Sequence, residues 1–195
     1  MPLTPGFHDV PADHLAAVVT FLSCPVPMGP VPQPKGISLK RVWDPDTTDY
    51  LALFREVGRD WLWTGRLLWS EDALAAHLAL PEVELYYSLR DGSVIGMAEL
   101  DRRDNARPTL AYFGLIPGEP GRGVGRWVMS EVQRIFFEGG ARQVLVNTCT
   151  LDHPRALGFY KSCGFIPLRR AVEIYPDPRA SGLLDAEAAP GVPQF

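Results

Sequence analysis

The sequence predicts an α/β fold built on a mixed sheet, and three observations predict it. Between residues 37 and 174, segments of strand and helix character succeed one another in the order β α α β β β α β α β. Asp91-Gly92, a pair that tolerates positive φ at both turn positions, joins two apolar segments as a hairpin does. Val144-Leu145-Val146 is an unbroken apolar run, the pattern of a strand covered on both faces.

Each element has its own local reason. Ile37 to Trp43 alternates apolar and polar residues as a half-buried strand does. Asp46 or Thr47 caps a helix running to about Trp63, and Ser70, followed by Glu71 and Asp72, opens a second helix to about Ala79. Val83 to Leu89 and Val94 to Leu100 are the hairpin strands, and Thr109 to Ile116 is a third strand ended by Pro117. A helix from Gly123 to Glu138 places Val124, Trp127, Val128, Val132, Ile135 and Phe136 on one face, and Gly139-Gly140 stops it. Gln143 to Thr150 is a strand. A short helix follows, with Asp152 or His153 as cap, Pro154 in its first position and Gly164 as terminator. Phe165 to Ile174 closes the sheet.

Proline divides the chain. Eight of its 19 prolines lie in residues 1–35 and four in 176–195. The division is therefore a leader at 1–35, a main domain at 36–175 and a frayed tail at 176–195. Within the leader, Leu15, Val18, Val19 and Leu22 recur at helical spacing, which predicts a short N-terminal helix over 11–22, docked on the domain or on a partner subunit in a homodimer. Residues 25–34 are a Pro-rich extended linker.

The composition narrows the function. With 195 residues, 46% apolar and 22% charged, the chain has the makings of one globular domain. A net charge of -4 without a long basic stretch argues against nucleic acid. The absence of a secretory leader or a membrane-length apolar run predicts no membrane association and a cytoplasmic location. Cys24, Cys149 and Cys163 are too few and too scattered for a disulfide framework or a zinc site, so free thiols and no metal are expected.

The most informative stretch is a strand, a glycine loop and a helix, Leu110 to Met129. Glycines let a ligand approach the backbone, and the unpaired N–H groups of a first helical turn form an anion site. A phosphate-bearing cofactor is the natural occupant. Gly123 is followed by Val124 and Gly125, where a nucleotide-hydrolase loop needs Lys and Ser or Thr, and Arg126 and Val128 stand where the dinucleotide fingerprint needs glycine.

Here the sequence resembles the GCN5-related N-acetyltransferase (GNAT) superfamily. Pro120-Gly-Arg-Gly-Val-Gly125, with Leu115-Ile-Pro117 before it, aligns with that family's cofactor motif, Gln/Arg-x-x-Gly-x-Gly/Ala, departing from it at Pro120. His153 to Phe165 resembles the family's Asn-x-x-Ala-x-x-Leu/Phe-Tyr-x-x-x-Gly-Phe, with His153 in place of Asn. The resemblance implies a mostly antiparallel sheet with flanking helices, the acyl-CoA acyltransferase fold. It also implies acetyl-CoA as cofactor, held by Leu115, Gly121, Arg122, Gly123, Val124, Gly125, Arg126, His153 and Ala156.

The activity it implies is transfer of an acetyl group to a small or protein amine by direct attack in a ternary complex. Tyr160 matches the family tyrosine that protonates the leaving thiolate. Glu99 either accepts the amine proton or is a solvated edge carboxylate. Tyr112 and Phe113 stand where relatives often carry Glu, which leaves water as a base. His153 is a base, a cofactor contact or a helix cap, and Cys149 is a small hydrophobe or a nucleophile. Trp61, Trp63 and Trp69 either line an acceptor pocket or pack helices on the sheet, and Arg66 is placed to meet an acceptor carboxylate. Two other readings remain open: an acyl-CoA-binding sensor without turnover, and transfer to a hydroxyl or of a longer acyl chain.

Overall fold

The structure, a computed structural model, describes residues 3–119 and 123–194. Its strands are β1 His14–Cys24, β2 Ile37–Val42, β3 Val83–Arg90, β4 Ser93–Asp101, β5 Thr109–Leu115, β6 Val144–Cys149 and β7 Ile166–Pro176. Its helices are α1 Thr47–Gly58, extended by a single turn at Arg59–Trp61, α2 Glu71–Leu78, α3 Val124–Glu138 and α4 Ala156–Ser162. The strands form one sheet in the order β2-β3-β4-β5-β6-β1-β7, antiparallel throughout except between β5 and β6. The mixed, mostly antiparallel sheet with flanking helices is therefore present. Among the described residues no helix is long and apolar enough to cross a membrane.

Both faces of the sheet are covered. On one, α3 lays Trp127, Val128, Val132 and Phe136 against Leu22, Leu100, Leu110 and Val144. On the other, Tyr50, Phe54 and Val57 of α1 and Leu74 and Leu78 of α2 pack on Val83, Leu85 and Met97. The hairpin turns as its dipeptide predicts, with φ of 48° at Asp91 and 90° at Gly92.

The Asp46 carboxylate accepts from the N–H groups of Thr48 at 2.8 Å and Asp49 at 3.0 Å. Asp46→Ala is therefore expected to cost about 1 kcal/mol of stability, read as a lower urea midpoint with an unchanged slope. An unchanged midpoint would show that the cap adds nothing. α1 stops at Gly58, short of the predicted Trp63, because the Trp63 N–H turns back to the Gly58 carbonyl at 3.0 Å and Leu62 is left-handed at φ 54°. A Cβ on Gly58 would stand 2.6 Å from Trp63 Cγ, so only glycine admits that return.

Two expectations about the ends of the chain are corrected. Residues 11–22 do not form a helix, and 14–24 are β1, set between β6 and β7 in the body of the sheet. The apolar run fits helical spacing, but Val18, Val19, Thr20 and Phe21 favour the extended chain. A strand flanked on both edges and buried on both faces shows no alternation to betray it.

The tail is not frayed either. Asp177 and Arg179 are buried and paired, and the Arg179 guanidinium also donates to the carbonyls of Ala188 and Val192. Leu184, Ala188 and Ala189 then pack on Leu62. One arginine organises a segment too rich in Gly, Pro and Ala to show periodicity. The linker at 25–36 has no regular element, and its Met28 N–H donates to Gln133 of α3 at 2.8 Å.

The final helix starts at Ala156, later than Pro154, and its N-cap Arg155 makes no side-chain cap. The Asp152 carboxylate turns instead to the Thr148 hydroxyl and the Cys149 N–H. His153 Nδ1 accepts from the Arg155 N–H at 3.1 Å.

Candidate active site

β5 and β6 pair at one position, Thr109 opposite Leu145, and then part. Parallel neighbours that separate leave the backbone groups of both inner edges unpaired. On β5 the Ile116 N–H donates to Ile95 at 3.0 Å on the β4 side, so the Leu115 N–H one residue earlier points into the gap. A cavity of about 1220 Å³ opens there. One end is walled by Leu115, Gly125, Arg126, Ala156 and Phe159, the other by Trp61, Trp63, Tyr112, Glu173 and Tyr175.

At the first end, Gly123 is the N-cap of α3 at φ 78°, no side chain caps the helix, and no acidic residue lies in its first turn. Among the described residues no side chain competes for its leading N–H groups, which suits an anion. Gly123, Gly125, Arg126, His153 and Ala156, which the family resemblance assigns to the cofactor, all line the cavity. Val124 does not line the cavity, its side chain lying in the core. Gly121 and Arg122 lie outside the described residues. The Arg126 guanidinium donates to the Ser162 carbonyl at 3.2 Å, joining α3 to α4.

Tyr160 lies between the two ends on α4. Its ring packs edge-on to Phe159 and Phe165, and its hydroxyl makes no hydrogen bond with any described residue. Burial, reinforced by Asp152 and Cys163, pushes its phenol well above the ordinary range. It therefore stays protonated at neutral pH.

Glu99 is not on the cavity wall. It is fully buried on β4, accepting from the Tyr50 hydroxyl and the Arg66 guanidinium, with His77 Nε2 3.1 Å away. Burial alone would raise its pKa, but hydrogen bonds from His77 and Arg66, then the Arg66 charge and Tyr50, hold it below the usual carboxylate range. A carboxylate so occupied is not a base for an incoming amine, and the solvated-edge reading is equally set aside. Arg66, expected to meet an acceptor carboxylate, is instead paired with Glu99 and is not on the cavity wall.

Trp69 stacks on Arg66 at 4.4 Å and so fastens the loop, while Trp61 and Trp63 face the cavity. Trp63 also packs: its indole is 5.4 Å from Phe54 and 5.2 Å from Tyr112, and a Cβ on Gly114 would meet it at 3.3 Å. Trp61 meets His153 edge to face at 5.0 Å, where the two ends of the cavity touch.

Among the wall residues that escaped the sequence reading are Glu173 and Tyr175 from β7, and Pro178 and Leu183 from the tail. None belongs to a motif, and their placement depends on β1 and on the ordered tail. Cys149 also lines the cavity, where burial, aided by Asp152, raises its thiol pKa, so it lacks the activation of a nucleophile.

The pattern that defines the Acetyltransferase (GNAT) family matches residues 50–165. The N-alpha-acetyltransferase RimI of Mycobacterium tuberculosis (strain ATCC 25618 / H37Rv) is 31% identical over 114 residues, which are 56% of this chain and 70% of that protein. Two solved structures share the fold. The GCN5-related N-acetyltransferase of Sphaerobacter thermophilus has a TM-score of 0.62 and 15% identity, over 83% of this chain and 52% of that one. That of Kribbella flavida has a TM-score of 0.56 and 17% identity, over 85% of this chain and 60% of that one. The chain thus spans between half and two thirds of the length of these two structures.

Proposed function

The chain belongs to the acetyltransferase (GNAT) family, and from that premise we propose that it transfers an acetyl group from acetyl-CoA to an amine, by direct attack within a ternary complex. The observation that carries the reading is the parting of β5 and β6 in front of the uncapped N-terminus of α3, with the Tyr160 hydroxyl in the same cavity. Acetyl-CoA, when bound, supplies a thioester carbon for the amine and a thiolate that leaves. The chain meets each of its features with an unsatisfied group: first-turn N–H groups of α3 for the diphosphate, with Arg126 beside them, the open edge of β5 for the pantetheine amides, and the Leu115 N–H for the thioester oxygen.

Tyr160 then gives its proton to the departing sulfur and recovers one from water. If the amine nitrogen bonds to the acetyl carbon and displaces the thiolate, the proton it loses would pass to water on the acceptor side of the cavity. Glu99 is not there to take it.

Tyr160→Phe tests the assignment because it deletes the hydroxyl and keeps the ring. Turnover, followed as free thiol release over a panel of amines, is expected to fall about ten- to a hundredfold, roughly 1.4 to 2.7 kcal/mol, with acetyl-CoA affinity and melting temperature nearly unchanged. Full turnover would remove the phenol as acid. A parallel loss of stability would assign it a structural bond instead. Acetyl-CoA binding without thiol release for any amine would favour a sensor.

A further inference from the structure

Charge is divided along the cavity. The arginines on its wall, Arg126 and Arg155, belong to the α3–α4 end. The other end, formed by the loop after α1, the far part of β7 and the tail, presents carboxylates and rings, and among the described residues no Lys or Arg side chain. Of its carboxylates, Asp60 is paired with Arg59 at 3.2 Å. Asp152 accepts from the Thr148 hydroxyl, the Cys149 N–H and, at 3.4 Å, the Trp63 indole. Glu173 has neither a hydrogen bond nor an ion pair with any described residue, although it is on the wall.

Strand register explains why this solvent-exposed side chain lies on the cavity face of β7. Val19 of β1 stands opposite Cys149 of β6 on one side and Ala171 of β7 on the other, so these three share a face, and Glu173 and Tyr175, two and four residues along β7, share it too. All but Ala171 line the cavity. The Glu173 charge is near enough to contribute to the raised pKa values of Tyr112, Cys149 and Tyr175.

We propose that Glu173 receives the ammonium group of the acceptor, and that the acceptor is a cationic amine with an apolar body and no carboxylate next to its nitrogen. This rests on the acetyl-transfer reading above and adds the class of substrate. An ammonium ion leaving water needs a counter-charge and electron-rich faces. Glu173 supplies the first, and Tyr112, Tyr175 and Trp61 the second. An α-carboxylate would meet Glu173 and Asp152 with no cation to offset it, since Arg66 is spent on Glu99 and Arg59, in the turn itself, on Asp60 and Asp185. Leu62, Leu68, Pro178 and Leu183 provide apolar wall for the body of such an amine. Free amino acids are thereby disfavoured relative to their decarboxylated or amidated forms.

The test uses matched triplets: 2-phenylethylamine, phenylalanine and phenylalaninamide; tryptamine, tryptophan and tryptophanamide; 3-methylbutylamine, leucine and leucinamide. Binding is measured by calorimetry on the full chain with and without coenzyme A, and KM and kcat by thiol release with acetyl-CoA. In at least one series the amine and the amide are expected to bind tenfold or more tightly than the acid. Glu173→Gln is expected to raise KM and Kd for that amine at least tenfold and to erase most of the discrimination, with coenzyme A affinity unchanged; Glu173→Asp restores part of it. The proposal is overturned if no series prefers the uncharged-flank members, or if Glu173→Gln leaves amine binding as it was. Absence of thiol release with amine binding intact and dependent on Glu173 would remove the acetyl-transfer reading and leave the recognition site standing.

Discussion

Glu99→Ala is expected to lower folding stability by about 3–5 kcal/mol, a large share of what a domain of this size has. The physical reason is the charge left behind. Arg66 is buried with its guanidinium on Glu99, and removing the carboxylate strands that cation beside His77 while the Tyr50 hydroxyl loses its acceptor. A double replacement, Glu99→Met with Arg66→Met, removes both charges and fills the space, so it should cost much less than the single change. Urea midpoints decide the matter: a single variant no less stable than the double would mean that the pair carries no such penalty.

Acidity offers a second check. Because the folded carboxyl is held below its ordinary range, its contribution is complete above the unfolded value of about 4.3 and is lost as pH falls through the lower folded value. Acid unfolding of the alanine variant should lack that portion. The loop carrying Trp61 and Trp63 hangs from the same network through Arg66 and Trp69, so looser acceptor binding should accompany the loss.

What the chain discloses in one dimension is what it builds locally. The caps at Asp46 and Ser70, the Asp91-Gly92 turn, the strand Thr109–Leu115 and the helix Val124–Glu138 each depend on residues within a few positions of one another, and each stands where its signal puts it. Tertiary partnership is what escaped. In residues 14–24 the β-branched run at Val18 to Thr20 leans toward a strand, but the apolar spacing fits an amphipathic helix as well. The choice is made only when β6 and β7, about 120 or more residues later, are beside it. Glu99 reads as a strand-end carboxylate until Tyr50, Arg66 and His77 converge on it from α1, the following loop and α2. Glu173 faces the cavity only because β1 carries β7 outward by one strand, so its chemistry is a product of the same insertion.

Gly125→Glu is expected to weaken coenzyme A binding by more than about a hundredfold, roughly 2.7 kcal/mol, while leaving the protein as stable as before or more so. The two effects separate because of where Gly125 lies. It is the second residue of α3, where a side chain is compatible with the backbone: an added Cβ meets the Phe159 ring at 3.8 Å and Leu115 Cδ1 at 4.0 Å, both ordinary contacts. Replacing a helical glycine gains helix propensity, and a carboxylate in a first turn that now has no acidic residue gains from the dipole. The same charge occupies the ground on which an incoming diphosphate depends, and its side chain extends into the space between Phe159 and Leu115. Gly125→Gln, equal in size and neutral, divides obstruction from repulsion, and its loss should be smaller and nearly independent of salt, whereas that of the Glu variant should lessen as salt rises. If calorimetry finds coenzyme A affinity unchanged in a folded Gly125→Glu protein, the start of α3 is not where the phosphates bind.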